Sequence, residues 1–139
     1  MKTLTIMVLI AVLAAGAGCR SKSNSATEKA AVEAARQWLE LIDSGNYSAS
    51  WKEAAVYFKN VVPEDVWIQK TTAVRKPLGR MLSRKLKRAK CMTELPGAPD
   101  GEYVVIQFVT SFENKKSAVE TVTPMLDEGN WKVSGYYIK

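Results

Sequence analysis

Thr110, Glu120 and Tyr137 are the residues whose types and spacing could do chemistry together. They lie in a stretch rich in Val, Ile, Tyr and Phe that reads as three strands: Glu102 to Phe112, Ser117 to Leu126 and Trp131 to Ile138. Turns at 113–116 and 127–130 separate them. Pairing about residue 115 sets Thr110 opposite Glu120 and Phe108 opposite Val122. A second turn centred between 128 and 129 sets Leu126 opposite Trp131, Pro124 opposite Val133 and Glu120 opposite Tyr137. Thr110, Glu120 and Tyr137 then share the face that carries Val104, Ile106, Phe108, Phe112, Val122 and Val133. A carboxylate facing such a layer must be paired, hydrogen-bonded or shifted in pKa. Glu120 either accepts hydrogen bonds and closes the fold, or lines a small-molecule pocket with Tyr137 and Thr110.

Composition removes most other chemistry. The 139 residues include no His, so Ser-His-Asp triads, Cys-His dyads and His-ligated metal sites are excluded. Two Cys cannot build a four-thiolate zinc site or a disulfide framework. No metal, no cofactor and no catalytic residue is assigned. Lys and Arg number 20 against 14 Asp and Glu. Nine of the basic residues fall between Val66 and Thr93 with no acid among them. Of these, Arg80, Arg84, Lys85, Lys87, Arg88 and Lys90 form a candidate patch for an anionic envelope surface; the alternative is that they guard an edge strand. Nucleic acid is not expected, because no stacking aromatics interleave the run.

The N-terminus predicts export. Lys2 precedes an apolar run from Leu4 to Ala15 and then small residues, the pattern of a signal peptide over 1–18. Ala15-Gly16-Ala17 offers cleavage before Gly18, while Gly16-Ala17-Gly18-Cys19 resembles a bacterial lipobox in which Cys19 is lipidated. The polar segment 19–27 reads as a flexible tether, and 28–139 as a single domain. The expected place is the periplasmic side of a bacterial envelope, as an outer-membrane lipoprotein held by its lipid anchor. A soluble periplasmic or secreted protein is the alternative. Cys91 reads as a small hydrophobe in a strand, or as the partner of an unlipidated Cys19 in a disulfide.

The elements that position these residues are helices first, then strands. Ser25 and Glu28 form a capping box before Val32, Ala35, Trp38, Leu39 and Ile42 at helical spacing, and Gly45 ends that helix. A second helix carries Ser50 and Glu53 as its box and Trp51, Ala54, Ala55 and Phe58 as its stripe. A third opens with Pro63 at its first position and faces inward through Trp67, Thr71, Val74 and Leu78. Arg80 to Met92 is a long strand with a phase break: Leu82 and Leu86 share one parity, Ala89 and Cys91 the other. Burying both sets needs an extra residue, so a β-bulge is expected near Lys87-Arg88. The order is α+β, with helices on one face of a curved four-stranded antiparallel sheet.

Gln37-Trp38-Leu39, Ile42 to Tyr47, Pro77-Leu78-Gly79, Leu95 to Tyr103, Glu120-Thr121-Val122 and Trp131 to Tyr136 resemble domain-of-unknown-function family 4019. That resemblance covers roughly Ala30 to the C-terminus and implies bacterial, exported, uncharacterised proteins. It also implies a cystatin-like cone fold similar to nuclear transport factor 2 and steroid delta-isomerase. In isomerase-like relatives a carboxylate and a tyrosine in the cone transfer protons, and Glu120 with Tyr137 would stand in their place. A non-enzymatic envelope binding or interaction module is expected; a small-molecule-binding or isomerase-like enzyme using that cavity is the alternative. The opposite sheet face carries Tyr103, Val105, Val109, Val119, Met125, Tyr136 and Ile138, a patch apolar enough to predict a weak homodimer or an envelope partner.

Overall fold

A computed structural model describes residues 21–139. The signal segment, Cys19 and both processing sites lie outside the described residues. Helices α1 (Ser21–Asp43), α2 (Tyr47–Lys52), α3 (Val56–Val61) and α4 (Glu64–Arg75) come first, followed by a 3-10 turn, Lys76–Leu78. Strands β1 (Met81–Met92), β2 (Tyr103–Phe112), β3 (Lys115–Asp127) and β4 (Asn130–Ile138) then form one open sheet in the order β1-β2-β3-β4. Every neighbouring pair is antiparallel, so the α+β class is the one expected.

Helix α1 buries Ala31, Ala35, Trp38, Leu39 and Ile42, a stripe at helical spacing. It is already helical at Ser21, so Ser25 lies inside the helix and does not cap it, and residues 21–27 of the expected tether are helical. Extending a nucleated helix costs little for Ser, Lys, Ala and Glu. Gly45 stops it at φ +78°, with Gly45 N–H on Ile42 O and Asn46 N–H on Leu41 O at 2.8 Å. The expected second helix is two short ones. Ala55, between them, is extended at ψ 147° and donates its N–H to Val133 O at 2.8 Å, tying the helix break to β4. Ser50 is therefore mid-helix: its hydroxyl donates to Tyr47 O and accepts from Trp67 Nε1, while Ser50 O accepts Trp38 Nε1. Pro63 precedes α4 in an extended conformation rather than occupying its first turn. The inward face of α4 is Trp67, Thr71 and Arg75; Val74 is 48% exposed.

Strand register decides which side chains meet. Leu86 faces Phe108 and Arg88 faces Gln107, so Lys87 is the extra residue of the expected bulge. The β2–β3 pairing is displaced by two residues from its prediction: Thr110 faces Ala118 and Phe108 faces Glu120. The turn is tighter than expected, with Phe112 opposite Lys115, and an even displacement leaves each residue on its predicted face. The β3–β4 pairing begins as predicted, Leu126 opposite Trp131 and Pro124 opposite Val133. It then shifts by one, giving Thr123 opposite Gly135, Val122 opposite Tyr136 and Thr121 opposite Tyr137. Ser134 is the extra residue, beside Pro124, which has no N–H for the ladder, and its hydroxyl donates to Thr123 O at 2.8 Å.

An odd shift exchanges faces. Tyr136 and Ile138 turn toward the helices, and Tyr137 turns away and is 53% exposed. Two assignments to the outer sheet face are corrected for that reason. Tyr103 corrects a third: it is buried, its hydroxyl donating to Pro99 O beneath the 93–101 loop. Val104, Ile106, Phe108, Val122 and Val133 meet Trp38, Leu39, Ile42, Phe58 and Trp67 in the core.

Candidate functional site

The polar residues under the helices form one chain of contacts. Glu120 is fully buried on β3, and its Oε1 accepts Arg84 Nε at 2.7 Å and Thr110 Oγ1 at 2.5 Å. Its Oε2 accepts the hydroxyl of Tyr136. Arg84, on β1, presents its other two nitrogens to Asp43 at the end of α1, at 2.7 and 2.9 Å. Arg75, from the last turn of α4, adds Nη2 to Asp43 Oδ1 at 3.0 Å and lays its guanidinium over the Phe112 ring at 4.8 Å. Two carboxylates and two guanidiniums thus cancel in charge inside the fold. Planar Arg–carboxylate pairing with several hydrogen bonds offsets the desolvation of such groups.

Protonation follows from this packing. Burial works against the charge on Arg84, but its hydrogen bonds to Asp43 and Glu120 outweigh it and raise its pKa above the ordinary arginine value. Burial, with the Glu120 charge and hydrogen bond behind it, pushes the Tyr136 phenol well above the usual tyrosine range. Tyr136 therefore holds its proton as a donor to Glu120. Both Glu120 oxygens are occupied by donors, and a group so enclosed is poorly placed to take a proton from a bound molecule.

The structure brings Thr110 and Glu120 together as the sequence predicted, and it replaces Tyr137 by Tyr136. Tyr137 and Tyr136 both line a cavity of about 240 Å³ between α4 and β4; Glu120 and Thr110 do not line it. Arg84 is withdrawn from the predicted anionic-partner patch, since its side chain is 7% exposed and held by two acids. Arg80 is exposed but pairs with Glu113. Lys85, Lys87, Arg88 and Lys90 are exposed. Cys91 packs against the core. Among the described residues no three His, Cys, Asp or Glu side chains gather as a metal site.

Sequence reasoning missed Asp43, Arg75 and Tyr136. A signal for Arg84 was present, because it shares the parity of Leu82 and Leu86 and so faces the helices ahead of the bulge. No curated protein matches the chain. A family model does, over residues 34–136, which takes in every residue of the buried network and most of the domain: the chain belongs to the DUF4019 family, proteins of unknown function.

Proposed function

We propose that this is a non-enzymatic binding module, exported and tethered on the periplasmic side of a bacterial envelope, whose β1 edge meets an anionic surface. The observation that carries the reading is how the β1 bulge sorts side chains. Ahead of it Arg84 and Leu86 share the face of Thr110 and Phe108, with the Arg84 side chain buried and Leu86 45% exposed; beyond it Ala89 and Cys91 pack against the core. Lys85, Arg88 and Lys90 are thereby set along the outer side, with Lys87 exposed at the bulge itself. Arg88 and Lys90 line a shallow groove with Met92, Val105 and Gln107. A cluster of basic side chains near an anionic membrane is attracted by about 1 kcal/mol each. The enzyme alternative has no comparable support, since Glu120 is sealed and Tyr137 lies on the other face.

Vesicle co-sedimentation tests this with the Cys19→Ala protein, which cannot be acylated. It should bind vesicles rich in phosphatidylglycerol and not phosphatidylcholine vesicles. Replacing Lys85, Lys87, Arg88 and Lys90 together by Gln should weaken that binding by about tenfold or more. Equal binding to both vesicle types, or no loss in the fourfold variant, rejects the reading.

A further inference from the structure

The sheet edge away from β1 carries a second feature, which does not depend on the vesicle reading. The cavity between α4 and β4 is lined by Trp67, Val74, Tyr136 and Ile138 among others, and also by Thr71 and Arg75. Those last two bring buried donors that lack acceptors. Arg75 Nε, Arg75 Nη1 and Thr71 Oγ1 have no hydrogen-bond partner, although the Arg75 side chain is only 4% exposed. A guanidinium has five N–H donors, and Asp43 engages Arg75 through Nη2. Buried donors are rarely left without acceptors, because they have given up water for nothing in return. Lys70 also lines the cavity, and no acidic residue does. Arg75 is balanced by Asp43, the exposed Lys70 adds a further cation, the walls are hydrocarbon and aromatic, and the unmet need is for acceptor atoms.

We propose that this cavity binds a small amphipathic monoacid. Its carboxylate meets Arg75 and Thr71, and its hydrocarbon body packs against Trp67, Tyr136 and Ile138. About 240 Å³ is the room of roughly eight water molecules at ~30 Å³ each, so the body is a short chain or a single ring. The three donor atoms are covered in the present conformation. Binding therefore requires Thr71 to rotate about χ1 and the Arg75 guanidinium to shift about its Asp43 anchor. A neutral apolar guest leaves those donors unsatisfied, and a polyanion does not suit the walls, so the site selects one charge on an apolar body.

Octanoate is a suitable probe, with 1-octanol as its uncharged counterpart, read by calorimetry and tryptophan fluorescence on the Cys19→Ala protein. Octanoate should bind one per chain with a Kd of about 1 mM or tighter. It should bind about tenfold tighter than octanol, the expected difference for charge-assisted hydrogen bonds. Thr71→Val should weaken octanoate and leave octanol unchanged. Val74→Trp, at a half-exposed wall position, should fill the cavity and abolish binding of both, with thermal unfolding unaltered. The proposal is overturned if octanol binds as well as octanoate. It is equally overturned if Val74→Trp still binds octanoate, or if no saturation is seen by about 10 mM. Vesicle binding should survive Val74→Trp, so failure here is distinguishable from failure of the β1 reading.

Discussion

The two edges of the sheet are finished in opposite ways. On β1 seven of the twelve residues are exposed, four of them basic, and the Arg84 side chain is buried. On β4 the edge is covered: Ala55 N–H bonds Val133 O, and Tyr136 packs edge-on against Trp38 at 5.5 Å and Trp67 at 6.5 Å. Asp127, just before β4, anchors α3 by accepting Val56 N–H at 2.9 Å. Of the register shifts along the two edge strands, those at Lys87 and Ser134 do different work. The extra Lys87 turns Ala89 and Cys91 toward the core while Arg88 and Lys90 stay outside. The extra Ser134 brings a tyrosine inward to a buried carboxylate. An open edge is a hazard for pairing with other chains, and here charge guards one edge while helices cover the other.

Arg84 breaks the contrast most severely, since it is a β1 residue whose contacts belong to the interior. Arg84→Ala should cost about 3–5 kcal/mol in chemical denaturation, because Glu120 loses its cation and Asp43 keeps only Arg75. Arg84→Met combined with Glu120→Leu should recover much of that loss, as removing both charges leaves neither uncompensated. Tyr136 gives a smaller effect with a pH signature. Tyr136→Phe should cost about 1–2 kcal/mol by taking one donor from Glu120. The folded state holds the Tyr136 proton more tightly than the unfolded chain, whose phenol titrates near pH 10. Its contribution is therefore complete below pH 10 and falls as pH rises above it, and Tyr136→Phe should flatten that alkaline loss in pH-resolved unfolding. The fourfold Lys85, Lys87, Arg88, Lys90→Gln variant should change stability least, within about 0.5 kcal/mol per site, whatever it does to vesicle binding.

Strand positions were legible because Val, Ile, Tyr and Phe cluster between turn residues. The Lys87 bulge was legible because two apolar sets fell out of phase. The Ser134 bulge was not. Gly135 is neutral to either face, and Tyr136 and Tyr137 are the same residue type, so side-chain pattern does not choose between the registers. Counting outward from the turn held as far as Pro124, where the ladder loses a donor. Arg75 and Arg84 counted as surface charge in a basic run, since their meeting with Asp43 joins three distant segments. The Asp43 partner is 32 and 41 residues away, beyond any local periodicity.

The indoles give the fold its own optical label. Trp38 and Trp67 have ring centroids 6.1 Å apart and both hydrogen-bond to Ser50, and Trp51 Nε1 is fixed to Val62 O at 2.7 Å. Rings locked at such spacings in an asymmetric surround give near-ultraviolet circular dichroism, a signal that disappears once side-chain packing loosens even if helices and strands persist. Trp131, half-buried on β4, packs against the same core and lines a groove with Trp38, so it reports on the contact between helices and sheet. Loosening of the helical layer and melting of the whole domain are thus separable by light alone, with no probe attached.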